Sequence, residues 1–165
     1  MDQMQGNEAV TVAERLSDRE LVVTRSFDAP AHIVFQAWAR PELFRQWWVP
    51  KSFGMTLLAC EMDVRIGGNY RLEFGHPQFD QPMAVFGTYL EVVPDSCLSW
   101  TNEESDDGAV TTVTFEEAEG RTLVKVHNLF PSKEALDAEI ASGGTSGMGE
   151  TLDQLDQFIS EQVQR

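Results

Sequence analysis

Apolar and polar positions alternate with a period of two through the middle of the chain and recur at helical spacing towards both ends. Leu21-Val22-Val23-Thr24-Arg25-Ser26-Phe27 is rich in β-branched residues and predicts a first strand. Asp28-Ala29-Pro30 ends it, and Pro30 suits the start of a helix. Ile33, Val34, Ala37 and Trp38 then fall on one helical face. Pro41 stops that helix at Arg40 and opens another, which carries Leu43, Phe44, Trp47 and Trp48 and is closed by Pro50. From Met55 to Val64 two faces alternate, and Gly67-Gly68 turns the chain into a strand with Tyr70, Leu72 and Phe74 on one side. Further strands are expected from Met83 to Val93, Cys97 to Thr101, Val110 to Glu116 and Thr122 to Asn128, with turns at Pro94-Asp95 and Glu119-Gly120.

Helical spacing returns after Phe130-Pro131. Ser132 is placed to cap Lys133 to Ile140, and Ser142-Gly143-Gly144 interrupts. Met148, Thr151, Leu152, Leu155, Phe158 and Ile159 then line one face of a last helix, opposite Glu150, Asp153, Gln154 and Gln157. Such a helix is about 27 Å long, enough to cross several strands. Six to seven strands joined by short turns, two short helices after the first strand and one long amphipathic helix predict an α+β fold. In it a curved antiparallel sheet buries the long helix on one face. Residues 1–19 read as a flexible tail and residues 20–163 as a single domain without internal repeats.

Composition narrows the function classes. The chain has 165 residues, 42% apolar and 24% charged, which suits an ordinary folded domain. Acids outnumber bases 27 to 12, for a formal net charge of −15. Scattered bases and that negative field argue against nucleic acid and anionic membrane as partners. The polar, acidic N-terminal stretch lacks a basic region followed by an apolar run, so the expected location is the cytoplasm. Cys60 and Cys97 have no CxxC spacing and read as buried thiols, and His32, His76 and His127 form no ligand pair. No metal or cofactor is therefore expected. His127 reads as an outward, solvated histidine, and Arg71 with Glu73 as a solvated cross-strand pair.

Several words of the sequence carry a family resemblance: Arg25-Ser26-Phe27-Asp28-Ala29-Pro30, Ala37-Trp38, Pro41-Glu42-Leu43, Trp47-Trp48-Val49-Pro50, Asp63-Val64-Arg65-Ile66-Gly67-Gly68, Gly87 to Pro94, Val113 to Glu116, and Phe130-Pro131-Ser132-Lys133-Glu134. Together with the element order, they resemble the START-like (SRPBCC, helix-grip) superfamily. The branch they resemble is named after the activator of the ninety-kilodalton heat-shock-protein ATPase. The pattern departs at Val49, where the family often has Gly, and at Asn128, where it often has His.

The resemblance implies a cavity between sheet and helix. With the inward faces read above, its walls would include Trp47, Phe53, Tyr70, Leu72, Phe86, Trp100, Phe115, Val126, Met148 and Leu152. The same residues would equally make an ordinary packed core, and the sequence alone does not separate the two. A protein binding a small hydrophobic or aromatic ligand, without assigned catalytic residues, is the leading expectation. A cyclase- or hydrolase-like enzyme acting on an aromatic or polyketide-like substrate is the alternative. The branch name implies a further one, a stress-response role stimulating a chaperone ATPase, ranked last because true activators carry an additional domain. Monomer and homodimer both remain open.

Overall fold

The alternating stretches pair into one eight-stranded antiparallel sheet in a computed structural model that describes residues 11–104, 106, 108–142 and 144–163. The strands are β1 (Val12–Arg15), β2 (Glu20–Phe27), β3 (Thr56–Met62), β4 (Asn69–Gly75), β5 (Met83–Val93), β6 (Cys97–Thr101), β7 (Val110–Ala118) and β8 (Arg121–Leu129). Their order across the sheet is β1-β2-β8-β7-β6-β5-β4-β3. Between β2 and β3 come α1 (Ala31–Ala39), α2 (Pro41–Phe44) and a 3₁₀ turn at Lys51–Phe53. After β8 come α3 (Lys133–Ala141) and α4 (Gly144–Val163).

Three expectations need correction. The sheet has one strand more than the six to seven expected, because β1 lies inside the stretch read as a tail. Its four residues, Val-Ala-Glu-Arg, are exposed on both faces and so carry no alternation to read, while their register to β2 is regular from Val12↔Thr24 to Arg15↔Leu21. Residues 1–10 of that stretch lie outside the described residues. The second short helix ends at Phe44 rather than running on to Trp48, so Trp47 and Trp48 sit in an irregular segment. Arg71 and Glu73 are paired at 3.1 Å along one strand, not across two.

Local chemistry explains the elements. β7 and β8 turn through Glu119 and Gly120, both at positive φ (58° and 79°), as a two-residue hairpin loop with right-handed strand twist requires. The N-terminus of α1 is held by the Glu117 carboxylate, which accepts from the Ala31 N–H at 2.8 Å, placing negative charge at the positive end of the helix. Ser132 caps α3 as the sequence predicts, accepting from Ala135 N–H at 3.0 Å.

α4 buries Leu152, Leu155 and Ile159 against the concave face of the sheet. Two polar clamps flank this apolar seam. On one side Arg25, an inward position of β2 that is 4% exposed, reaches Asp153 and Asp156 of α4 and lies over the Phe27 ring. On the other side six hydrogen bonds fix the irregular segment to α4. Gln154 donates to the carbonyls of Trp47 and Val49, both at 2.8 Å, and accepts from Lys51 N–H. Thr151 donates to the Trp48 carbonyl, and the Glu150 carboxylate accepts from both the N–H and the hydroxyl of Ser52. Phe53 lies so close to the helix that a Cβ on Gly147 would stand 2.9 Å from its ring.

The Arg25 clamp is asymmetric: the arginine is buried while Asp153 and Asp156 are 69% and 38% exposed. Removing the arginine leaves carboxylates that water solvates, whereas removing both carboxylates strands a buried cation. The Asp153→Asn/Asp156→Asn double variant is therefore expected to lose about 2–4 kcal/mol in urea unfolding, and Arg25→Met about 1 kcal/mol. Equal losses would show that packing, not charge burial, sets the cost.

The Ser52 hydrogen bonds hold the Glu150 carboxyl below its ordinary value. A depressed carboxylate stabilises the fold above its unfolded pKa and loses that contribution as pH falls through the folded one. The melting-temperature gap between wild type and Glu150→Gln is accordingly expected to be full at neutral pH. It should close on acidification below the usual carboxylate range, as followed by circular dichroism.

Candidate functional site

A helix laid across a bent sheet fills only part of its concavity. Towards the start of α4 a cavity of about 510 Å³ remains. Its sheet wall is Leu21 and Val23 of β2, Trp100 of β6, Thr111 of β7, and Val126 and Asn128 of β8. The facing wall is Trp38 of α1, Trp48 of the pinned segment, Ala135, Ala138 and Glu139 of α3, and Met148 of α4. A second, much smaller space of about 50 Å³ lies on the side of β4 and β5. Trp38, Trp48, Trp100 and Asn102 line both and so form the partition.

The aromatic wall is set by mutual packing. Trp38 has rings of Trp47 at 4.8 Å, Trp48 at 5.9 Å, Trp100 at 6.2 Å, Phe115 at 6.3 Å and Phe44 at 6.5 Å around it, mostly tilted or edge-on as ring quadrupoles favour. Its buried indole N–H has no hydrogen-bond partner among the described residues. Trp47, by contrast, is fully buried and donates to the Ala37 carbonyl at 3.1 Å. Of the adjacent tryptophans, one anchors and the other faces the cavity.

A chain of hydrogen bonds crosses the wall. The Tyr70 hydroxyl lies 2.8 Å from the Thr101 carbonyl and 3.1 Å from Asn102 Oδ1. Burial, reinforced by the nearby charges of Glu104 and Glu103, pushes the Tyr70 phenol up, so it stays a donor. Asn102 Nδ2 donates to the Ala109 carbonyl at 2.6 Å and to Thr111 Oγ1 at 3.1 Å. Since a carbonyl can only accept, the Asn102 amide orientation is fixed. The Thr111 hydroxyl, already accepting, donates to Asn128 Oδ1 at 2.7 Å. That leaves the Asn128 Nδ2 donors without a partner among the described residues, on a side chain that lines the cavity. On α3, Glu139 lines the cavity as well, and desolvation pushes its carboxyl up.

The ten wall residues read from sequence divide. Trp100, Val126 and Met148 line the large cavity, and Tyr70, Leu72 and Trp100 the small one. Trp47, Phe115 and Leu152 are buried in the core behind the walls. Phe53 and Phe86 are outside, 45% and 37% exposed. Phe86 pairs with Arg71 on the convex face while Val85, opposite Leu72, points inward, so the inward phase of β5 falls on Val85, one residue from the expected Phe86. Phe53 is carried off by the 3₁₀ turn onto Gly147.

Asn128 lies on the cavity side and His127 on the other, bonded to Glu20 at 3.0 Å. Asn102, Thr111 and Glu139 lie outside the sequence reading, and of the two adjacent tryptophans Trp47 is expected at the wall whereas Trp48 lines it. Only Thr111 and Trp48 left a trace, as positions in phase with Val113 and beside Trp47. Cys60 and Cys97 are free and only partly buried, and burial raises both thiols. Among the described residues no cluster of His, Cys, Asp or Glu has metal-holding geometry, and no helix is long and apolar enough to cross a membrane.

Solved structures with this fold are numerous. A protein from Rhodobacter sphaeroides shares 21% identity with a TM-score of 0.83, covering 92% of this chain and 98% of its own. One from Nitrosomonas europaea shares 20% with a TM-score of 0.81, covering 90% and 99%. One from Staphylococcus epidermidis shares 26% with a TM-score of 0.78, covering 92% and 94%. No curated protein matches the chain. The START-like, helix-grip architecture expected from the sequence is thus the one present, and residues 28–160 match a single family model. The chain belongs to the family described as activator of Hsp90 ATPase homolog 1-like protein.

Proposed function

We propose that this chain binds a small, largely apolar molecule in the cavity between the sheet and helices α1, α3 and α4. The observation that carries the reading is the pairing of a half-open, aromatic-walled volume with one oriented polar group. About 510 Å³ walled by tryptophans is within the usual range of small-molecule sites, and the Asn128 amide presents unpaired donors at the end of a fixed relay. Apolar contact supplies affinity: burying about 200 Å² of ligand surface gives about 5 kcal/mol before association costs. The relay supplies orientation, since Tyr70, Asn102 and Thr111 hold Asn128 so that a ligand acceptor meets its N–H groups.

One observation favours a second reading. Glu139, exposed on α3 but at the cavity wall with its carboxyl pushed up by partial desolvation, is a candidate proton-transfer group for acid–base chemistry on a bound substrate. In that case Glu139→Gln abolishes turnover and leaves substrate affinity unchanged.

Native mass spectrometry of protein purified gently from its own extract tests the first reading. A defined extra mass that is lost on denaturation is expected. Ala138 faces the cavity from an exposed helix position, so Ala138→Trp should fill the space at little cost to stability. That variant is expected to lose the extra mass while its melting temperature, compared with ligand-free wild type, stays within a few degrees. Retention of the mass by Ala138→Trp would place the ligand elsewhere.

A further inference from the structure

The charge of the cavity wall is one-sided. Glu104 and Glu139 line it, and among the described residues no lysine, arginine or histidine does. Glu104 is partly engaged, accepting from the Phe86 N–H at 3.3 Å. The Glu139 carboxylate has no hydrogen bond or ion pair among the described residues; Ser142, its neighbour in the wall, turns its hydroxyl to the Glu139 backbone carbonyl instead. Glu139 is exposed at the open side of the cavity, where partial desolvation and the lack of a partner leave its charge unbalanced toward the cavity. Its raised pKa has desolvation as its cause, and a nearby cation would reverse that direction.

The remaining wall suits a cation too. Trp38, Trp48, Trp100 and Phe130 present aromatic rings, whose faces attract ammonium groups, tryptophan most of all. A net charge of −15 raises the local concentration of cations around the whole molecule. An anionic ligand would meet two like charges and no counter-charge inside the wall.

We infer that the ligand is a cationic amphiphile: an amine or quaternary ammonium on an apolar body, its charge held by Glu139 and the tryptophan rings. An acceptor oxygen, where the ligand has one, falls to the Asn128 amide. This inference rests on the cavity being a binding site and adds the charge of what occupies it.

Three probes of one skeleton test it: phenylbutylamine, phenylbutanol and phenylbutyrate, titrated against the quenching of tryptophan fluorescence. The amine is expected to bind about tenfold more tightly than the alcohol, and the carboxylate most weakly. Glu139→Gln should weaken the amine about fivefold and leave the alcohol unchanged. Glu134→Gln, an exposed acid of the same helix outside the cavity wall, removes the same formal charge and should change neither. Equal binding of alcohol and amine overturns the inference while leaving the cavity reading intact. So does an equal effect of Glu134→Gln, which would assign the preference to bulk charge. Flat titrations with all three probes, indistinguishable between wild type and Ala138→Trp, overturn the cavity reading and this inference with it.

Discussion

Because β2 pairs with β8 and not with β3, the chain joining β2 to β3 must cross the entire concave face of the sheet. Most of what lies inside the molecule follows from that crossing. It carries α1 over the sheet, sets Trp38 at the centre of five aromatic rings, and leaves Trp47 and Trp48 in a stretch with no helix of its own to hold it. Such a segment has peptide groups that a buried position must satisfy. α4 satisfies them through Glu150, Thr151 and Gln154, so the helix both fills the sheet and shapes the strand-free wall of the cavity.

The grip is correspondingly two-sided. Apolar residues at helical spacing make the seam, but a seam of Leu152, Leu155 and Ile159 alone would permit the helix to slide or roll. Arg25 on one flank and the side-chain bonds to the crossing segment on the other remove that freedom. Apart from Thr151, both clamps draw on residues of α4 that a hydropathy reading assigns to solvent. The polar face of a helix is not spare surface when irregular backbone lies beside it.

Strand positions and inward phase are legible wherever one face is buried and the other wet, as in β4 with Tyr70, Leu72 and Phe74 against Arg71 and Glu73. Where both faces carry apolar residues, as at Val85-Phe86 of β5, the pattern no longer fixes the phase, and Phe86 was placed on the wrong side. β1 was invisible because a four-residue edge strand with both faces exposed has no burial to encode. The cavity residues that matter most for chemistry were the least legible. Asn102 sits in a loop and Glu139 in the polar half of a short helix, and only three-dimensional closure brings them to one wall. Asn128 was visible as a departure from a family pattern, and its meaning came from Thr111 across the ladder.

The pairing of β2 with β8 also has a consequence in time. Glu20 and His127, which meet at 3.0 Å, are 107 residues apart in the chain. A ribosome delivers β2 long before its partner exists, so the nascent strand waits with one edge open while β3 to β8 emerge and form their hairpins. Loop closure over that span costs entropy before any contact repays it, and folds built this way are slow to complete. The short, charged strand β1 is already present beside β2 during that wait. It covers one edge of a β-branched, apolar stretch when that stretch is most exposed to pairing with the wrong chain.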